Sequence, residues 1–199
     1  MDRKNFEQAK QYALDRLERE LSPGLVYHGI AHTREDVTPA VELLASMEGI
    51  IDESIFMLLT AAWFHDLGFI KVQAGHEAIG AQLASESLPG FGYTEGQIQI
   101  VRGIIMATVV PQSPLTILEK IMADADLDGL GRADFMLFNA KLRREVAFFG
   151  QEFTDAEWFS EQLKFVETHA YFTPSARALR DAGQLKNVAA LKRKLEELE

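Results

Sequence analysis

The sequence predicts an all-α chain of about nine or ten helices in one domain spanning 1–199. Three observations carry this. Nearly every segment repeats its apolar residues with helical period, and none shows the clean alternation of a half-buried strand. Boxes of the form Thr-x-x-Glu or Thr-x-x-Gln, a signature of helix N-termini, recur at Thr94, Thr116 and Thr154. The chain has 199 residues and is 47% hydrophobic, enough for one full core, while 14 Gly and 6 Pro are too few for a disordered or fibrous chain.

Phe6, Ala13, Leu14, Leu17 and Leu21 mark an amphipathic first helix, ended by Ser22-Pro23-Gly24. A second carries Val37, Ala40, Val41, Leu44 and Met47. Pro39 lies inside it, and because no turn residue stands between Thr33 and Asp36, the expectation is a helix that starts near His32 and kinks. Asp52 is expected to cap a buried helix over about 53–66, and Gly68 to end it. A shorter helix covers about 76–88, stopped by Pro89-Gly90. Thr94 and Thr116 then open two more, the second running into Asp124-Ala125-Asp126. Further helices are expected over about 134–149 and 154–169, then a short one from Thr173-Pro174 and a last one over about 187–198. No repeat, low-complexity tract or linker interrupts the series.

Net charge is -10 and the isoelectric point is near 5.0, with no basic cluster. That argues against nucleic-acid polymers and anionic membranes as partners. The polar start, Met1-Asp2-Arg3-Lys4-Asn5, is unlike a signal peptide, and no apolar run reaches the roughly 18 residues of a membrane span. The expected location is cytoplasmic. With no cysteine there is no thiolate nucleophile and no Cys-based metal site, so any transition ion must use His and carboxylate.

Such residues gather in a few places. His65 and Asp66 end the run Leu58-Leu59-Thr60-Ala61-Ala62-Trp63-Phe64, which has no polar face and reads as buried. A His and an Asp there need pairing, hydrogen bonds or a metal. His32 upstream and an Asp of the Asp124-Ala125-Asp126 run downstream are the other candidates. Two imidazoles and two carboxylates suit Mn²⁺, Fe²⁺, Co²⁺, Ni²⁺, Zn²⁺ or Mg²⁺. On spacing alone, a hydrogen-bonded core histidine is the commoner reading.

The three pieces Tyr27-His28-Gly29-Ile30-Ala31-His32-Thr33, Phe64-His65-Asp66 and Asp124-Ala125-Asp126-Leu127 together resemble the H…HD…D signature of the HD-domain metal-dependent phosphohydrolases. The match spans about 27–131. The tail, about 132–199, resembles a subset of that superfamily with little functional assignment, through Leu130-Gly131-Arg132-Ala133-Asp134-Phe135 and His169-Ala170-Tyr171-Phe172-Thr173. The resemblance implies an HD-type helical domain with a core of about 22–131 and a C-terminal helical extension. It implies one divalent metal ion held by His32, His65, Asp66 and Asp126. Residues two apart on a helix point nearly opposite ways, so just one of Asp124 and Asp126 is expected to face the ion; aligned on the Ala-Asp pair of the family pattern that is Asp126, with Asp124 as the fallback.

Two departures narrow the activity. Leu67-Gly68-Phe69-Ile70 stands where HD enzymes that hydrolyse ppGpp carry acidic residues, which argues against that reaction. Of the further histidines that two-metal members often supply, just His76 and His169 remain, which favours one metal.

The implied function is hydrolysis of a phosphate ester or anhydride of a nucleotide or other small phosphorylated metabolite, by a metal-activated water. Asp66, Arg132 and Glu77 are the catalytic candidates. Glu77 would orient the water, against the plainer reading of a helix N-terminal acid. Arg132 would meet the phosphate. His28, His76 and Arg132 are the substrate-binding candidates, although His28 reads at least as well as a hydrogen bond that fixes its loop. His169 reads as a helix-end residue near the negative end of the dipole. The dense aromatic set from Phe148 to Phe172 reads as core packing before a base-stacking wall. The expected partner is a small phosphorylated substrate, and a homodimer is left open.

Two rivals remain. One is a catalytically silent HD domain serving as a ligand-binding or scaffold module. The other is a Ca²⁺-binding helical protein using Asp124, Asp126 and Asp128, weakened because Phe135 stands where an EF-hand loop needs Glu.

Overall fold

Three residues, Met1, Asp2 and Glu199, lie outside the 3–198 that the computed structural model describes, so the first two residues of the polar N-terminal stretch have no structural account. The described residues form nine α-helices and no strand. They are α1 (Arg3–Glu20), α2 (Thr38–Met47), α3 (Asp52–Phe64), α4 (His76–Ser87), α5 (Glu95–Met106), α6 (Ile117–Asp126), α7 (Phe135–Phe148), α8 (Asp155–Thr168) and α9 (Pro174–Glu196). Short 3-10 turns at Leu67–Ile70, Leu88–Phe91 and Asp128–Gly131 join them.

α3 is the axis. Every residue from Met57 to Phe64 is buried, so its unbroken apolar sequence meets protein on all sides. α1, α2, α5 and α6 pack around it and share one hydrophobic cluster that includes Phe6, Leu44, Leu58, Phe64, Ile104 and Met122. A second, smaller cluster of Leu130, Phe135, Val166 and Leu191 sits under α7, α8 and α9. The three Thr-led capping boxes form as the sequence indicates, at the starts of α5, α6 and α8. Each satisfies N–H groups that a helix start leaves unpaired.

Four local expectations change. The helix leading into α2 does start near His32, at Ile30, but it is wound as a π-helix over His32–Val37. Pro39 has no N–H to give to Glu35, and the Thr38 N–H reaches back five residues to Thr33 O instead. The Thr38 hydroxyl donates to the same carbonyl at 2.7 Å. Asp52 does not cap α3: it is the first helical residue, at φ 56°, and Ile51 before it makes no side-chain cap.

Gly68 does not end α3 in a left-handed turn. It lies in the following 3-10 turn, where a Cβ would meet His76 O at 1.9 Å, and a Cβ on Gly80 of α4 would stand 2.6 Å from Phe64 O. The two glycines let α4 press against the end of α3. Finally, the two last helices are one. α9 runs unbroken for 23 residues through Gly183. That glycine has a tertiary purpose, since a Cβ on it would stand 1.9 Å from Gly131 O.

Gly183→Ala should therefore lower the unfolding free energy by about 1–3 kcal/mol, because backbone must move to admit the methyl. Gly96→Ala, with nothing within 4 Å of its added Cβ, should stay within about 1 kcal/mol of the parent, on the stabilising side. Chemical denaturation of the two variants measures both.

Candidate metal centre

α3 ends inside the core, and its last turn delivers His65 and Asp66 there, 1% and 3% exposed. The His65 Nδ1 donates to Ala62 O at 2.8 Å. A carbonyl can only accept, so this bond fixes the tautomer and leaves the Nε2 lone pair free. That Nε2 lies 3.2 Å from Asp66 Oδ2 and 3.4 Å from Asp126 Oδ1. His32, from the π-turn, places its Nε2 at 3.4 Å from Asp126 Oδ1 and 3.8 Å from Asp66 Oδ2. Ligand atoms of His32, His65 and Asp66 all lie within 4.8 Å of one another.

Two of these atoms, His65 Nε2 and Asp66 Oδ2, are buried with no hydrogen-bond partner among the described residues. Orphaned polar atoms of this kind are costly unless something else meets them. The spacing suits a small cation. Donors each ~2.1 Å from one centre stand roughly 3.0–3.4 Å apart in octahedral or tetrahedral arrangement.

Electrostatics point the same way. Burial opposes charge on His65, yet the Asp66 and Asp126 carboxylates outweigh it and hold the imidazole well above its ordinary pKa. Burial likewise opposes charge on Asp66, but His65, then His76 and His28, keep it well below the usual carboxylate range. Asp126 is pulled down to about 2, against burial, by His32 and His65. The site favours positive charge between its carboxylates.

The choice between Asp126 and Asp124 is visible in the packing. Asp124 turns to the opposite side of α6 and is fully buried. Its carboxylate accepts from Phe172 N at 2.8 Å, Thr173 N at 2.8 Å and the Thr173 hydroxyl at 2.7 Å. Asp128 pairs with Arg180 through two bonds, at 2.6 and 3.0 Å. The three acids of the calcium-type run thus face three different ways, and just Asp126 faces the histidines.

The turn after Asp126 is held from the C-terminal side. Asn187 Nδ2 donates to Leu130 O and Arg132 O, and the Tyr171 hydroxyl donates to Leu127 O. α9 braces the segment that carries this ligand candidate.

His76 Nδ1 donates to Gln73 O at 2.9 Å, and its Nε2 lies 3.4 Å from Asp66 Oδ1. Glu77 Oε2 is 3.6 Å from His76 Nδ1. His28, Phe69 and His76 form a stack, with ring centroids 4.7 and 3.8 Å apart. His28 is held by Glu145, whose buried carboxylate takes the imidazole Nδ1 on one oxygen and the Tyr27 and His28 backbone N–H groups on the other.

Arg132 is engaged elsewhere. It forms a two-point bridge to Asp134, reaches Asp36 at 3.0 Å, and lies over the Phe138 ring. It is absent from the lining of the cavity that Asp66 and Asp126 border. That cavity, about 280 Å³, is lined by Tyr27, His28, Asp66, His76, Glu77 and Asp126 and by side chains of α7 and α8. Of the aromatic set, Phe165 lines it, whereas Trp158 and Tyr171 are buried in the packing. Sequence reading passed over Glu145 and Phe69. Neither carries a motif, and each is recognisable just by what folding brings to it.

His169 caps the C-terminal end of α8, where the helix dipole favours a cation, but burial wins and lowers its pKa to about 4. The unfolded chain binds this proton below about 6.5 and the folded chain does not until about 4. Stability attached to His169 is therefore lost as pH falls through that window. Denaturation titrations on either side of it should show a smaller loss for His169→Gln than for the parent. Asp124→Ala, which strands three donors, should lower the unfolding free energy by about 2–4 kcal/mol, and Asp124→Asn, which keeps one acceptor oxygen, should recover part of that.

No family model matches the chain, and no curated protein does. Two solved structures are similar to it. One is a predicted HD superfamily hydrolase from an uncultured Thermotogales bacterium, 20% identical over 97% of this chain and 92% of that one, with a TM-score of 0.62. The other is a protein from Lactobacillus plantarum, 20% identical over 98% of this chain and 99% of that one, with a TM-score of 0.71. No helix among the described residues is long and apolar enough to cross a membrane. The fold is that of an all-α HD-type domain, and His32, His65 and Asp66 form a buried group that could hold a metal ion.

Proposed function

We propose that the protein is a metal-dependent phosphohydrolase of the HD superfamily, using one divalent ion held by His32, His65, Asp66 and Asp126. Its substrate would be a phosphate ester or anhydride of a nucleotide or other small phosphorylated metabolite. The observation that carries this reading is the pair of buried, unpartnered atoms, His65 Nε2 and Asp66 Oδ2, among four convergent ligand side chains. The cavity adds a second argument. Asp66, Glu77 and Asp126 line it with no Lys or Arg. Alone, such a wall repels a phosphate; with a divalent cation in it, it attracts one.

Such an ion, of the Mn, Fe, Mg, Co, Ni or Zn class, supplies a lowered pKa for water and neutralises charge developing on a phosphoryl oxygen. The chain's own groups do the rest. Asp66 joins the two parts of the site, with Oδ2 toward His65 and Oδ1 toward His76. In this reading Glu77, which lines the cavity beside His76, takes a proton from the attacking water. In this reading His28 and His76, which line the cavity and stack on Phe69, meet substrate oxygens. Arg132, committed to Asp36 and Asp134, acts in this reading as a positioning residue behind His32 and not as the phosphate clamp.

His65→Ala and Asp66→Ala should each abolish ion binding and turnover while the helical fold survives. Elemental analysis of the purified protein, circular dichroism and a metal-supplemented screen of nucleotides and sugar phosphates check the three parts. A protein that carries no ion, and whose turnover ignores both chelator and added metal, sinks the reading.

A further inference from the structure

The wall of the cavity that α7 and α8 supply is built differently. Phe135 and Leu142 of α7 and Phe165 of α8 line it, and no charged side chain of α7 or α8 joins them. One polar feature interrupts this wall. The buried Trp158 indole N–H donates to Asn139 Oδ1 at 2.7 Å, and Asn139 Nδ2 donates to Gln162 Oε1 at 2.8 Å. An indole N–H can only donate, so it fixes the direction of the whole chain. Asn139 must present its oxygen to Trp158 and its amide nitrogen to Gln162. Gln162 must then use its oxygen inward, which leaves Nε2 as a donor with no protein partner among the described residues. Gln162 lines the cavity.

We infer that this wall forms a specificity pocket for the organic body of the substrate, with Gln162 as its reading residue. Resting on the phosphohydrolase reading above, it would take an uncharged, mainly apolar group that carries a hydrogen-bond acceptor where it meets Gln162. A second charge there would be desolvated against Phe and Leu with no counter-ion, which such sites reject. A hydroxyl-rich sugar body would lose its water to the same wall. The acceptor is selected because a body without one strands the oriented Gln162 N–H. At about 280 Å³ the cavity is at the low end of small-molecule sites, so the body is small and not polymeric.

Two inert phosphonates isolate the effect: (4-acetylbenzyl)phosphonate and (4-ethylbenzyl)phosphonate, of nearly equal shape, of which just the first carries a carbonyl oxygen. Calorimetric titration of the Mn²⁺-supplemented protein should show the acetyl compound binding about 3–10-fold more tightly. Gln162→Leu and Gln162→Met, at a partly exposed position, should bind both alike. Equal binding by the parent protein overturns the inference, as does no binding of either while ribose 5-phosphate binds. A preference that survives both substitutions removes Gln162 from the role. The two readings fail separately. Preference without turnover of any phosphate keeps the pocket and sinks the hydrolase, whereas turnover without preference does the reverse.

Discussion

A carboxylate and an imidazole carried to the end of a helix that has no solvent face set the terms for this fold. Asp66 and His65 are almost wholly removed from water, and an ionised group so placed needs either strong partners or an ion. The surrounding architecture reads as the answer to that demand. The π-turn brings His32 from one side, the end of α6 brings Asp126 from another, and the glycine-to-glycine approach of α4 brings His76 up to the remaining Asp66 oxygen. Each partner comes from a different element, so the site exists just where the helices are correctly packed.

That dependence explains what could be read beforehand. Helix starts are written in three or four adjacent residues, and the Thr94, Thr116 and Thr154 boxes all form. The burial of α3 was legible because eight consecutive residues have no polar face. Other features were not, for physical reasons. Gly183 resembles a local break because glycine is a poor helix former. Its value appears when Gly131 of a distant turn lies against it. Asp52, by sequence a good cap, instead starts α3 itself at positive φ. Asp124 and Asp126 are equal candidates by chemistry, and the backbone N–H groups of Phe172 and Thr173 decide between them by claiming one. Glu145 had no signal at all, since its partners lie in the loop of Tyr27 and His28.

Arg132 teaches a similar lesson about charge. By position it follows the Asp126 turn and is the obvious cation for a phosphate. In the fold its guanidinium is already divided between two carboxylates, which leaves the acidic cavity dependent on something else for positive charge. A motif supplies a residue's neighbourhood in sequence, whereas its availability depends on which counter-charges the tertiary structure has placed around it.

The brace formed by α9 has a consequence for synthesis. A chain growing from its N-terminus presents His32, His65, Asp66 and Asp126 well before Asn187 and Gly183 exist. The turn behind Asp126 then lacks the two carbonyl clasps that later hold it. The nascent protein can assemble the helices around α3 early, but the turn behind Asp126 takes its final shape late, once the final long helix has been made and has settled against it.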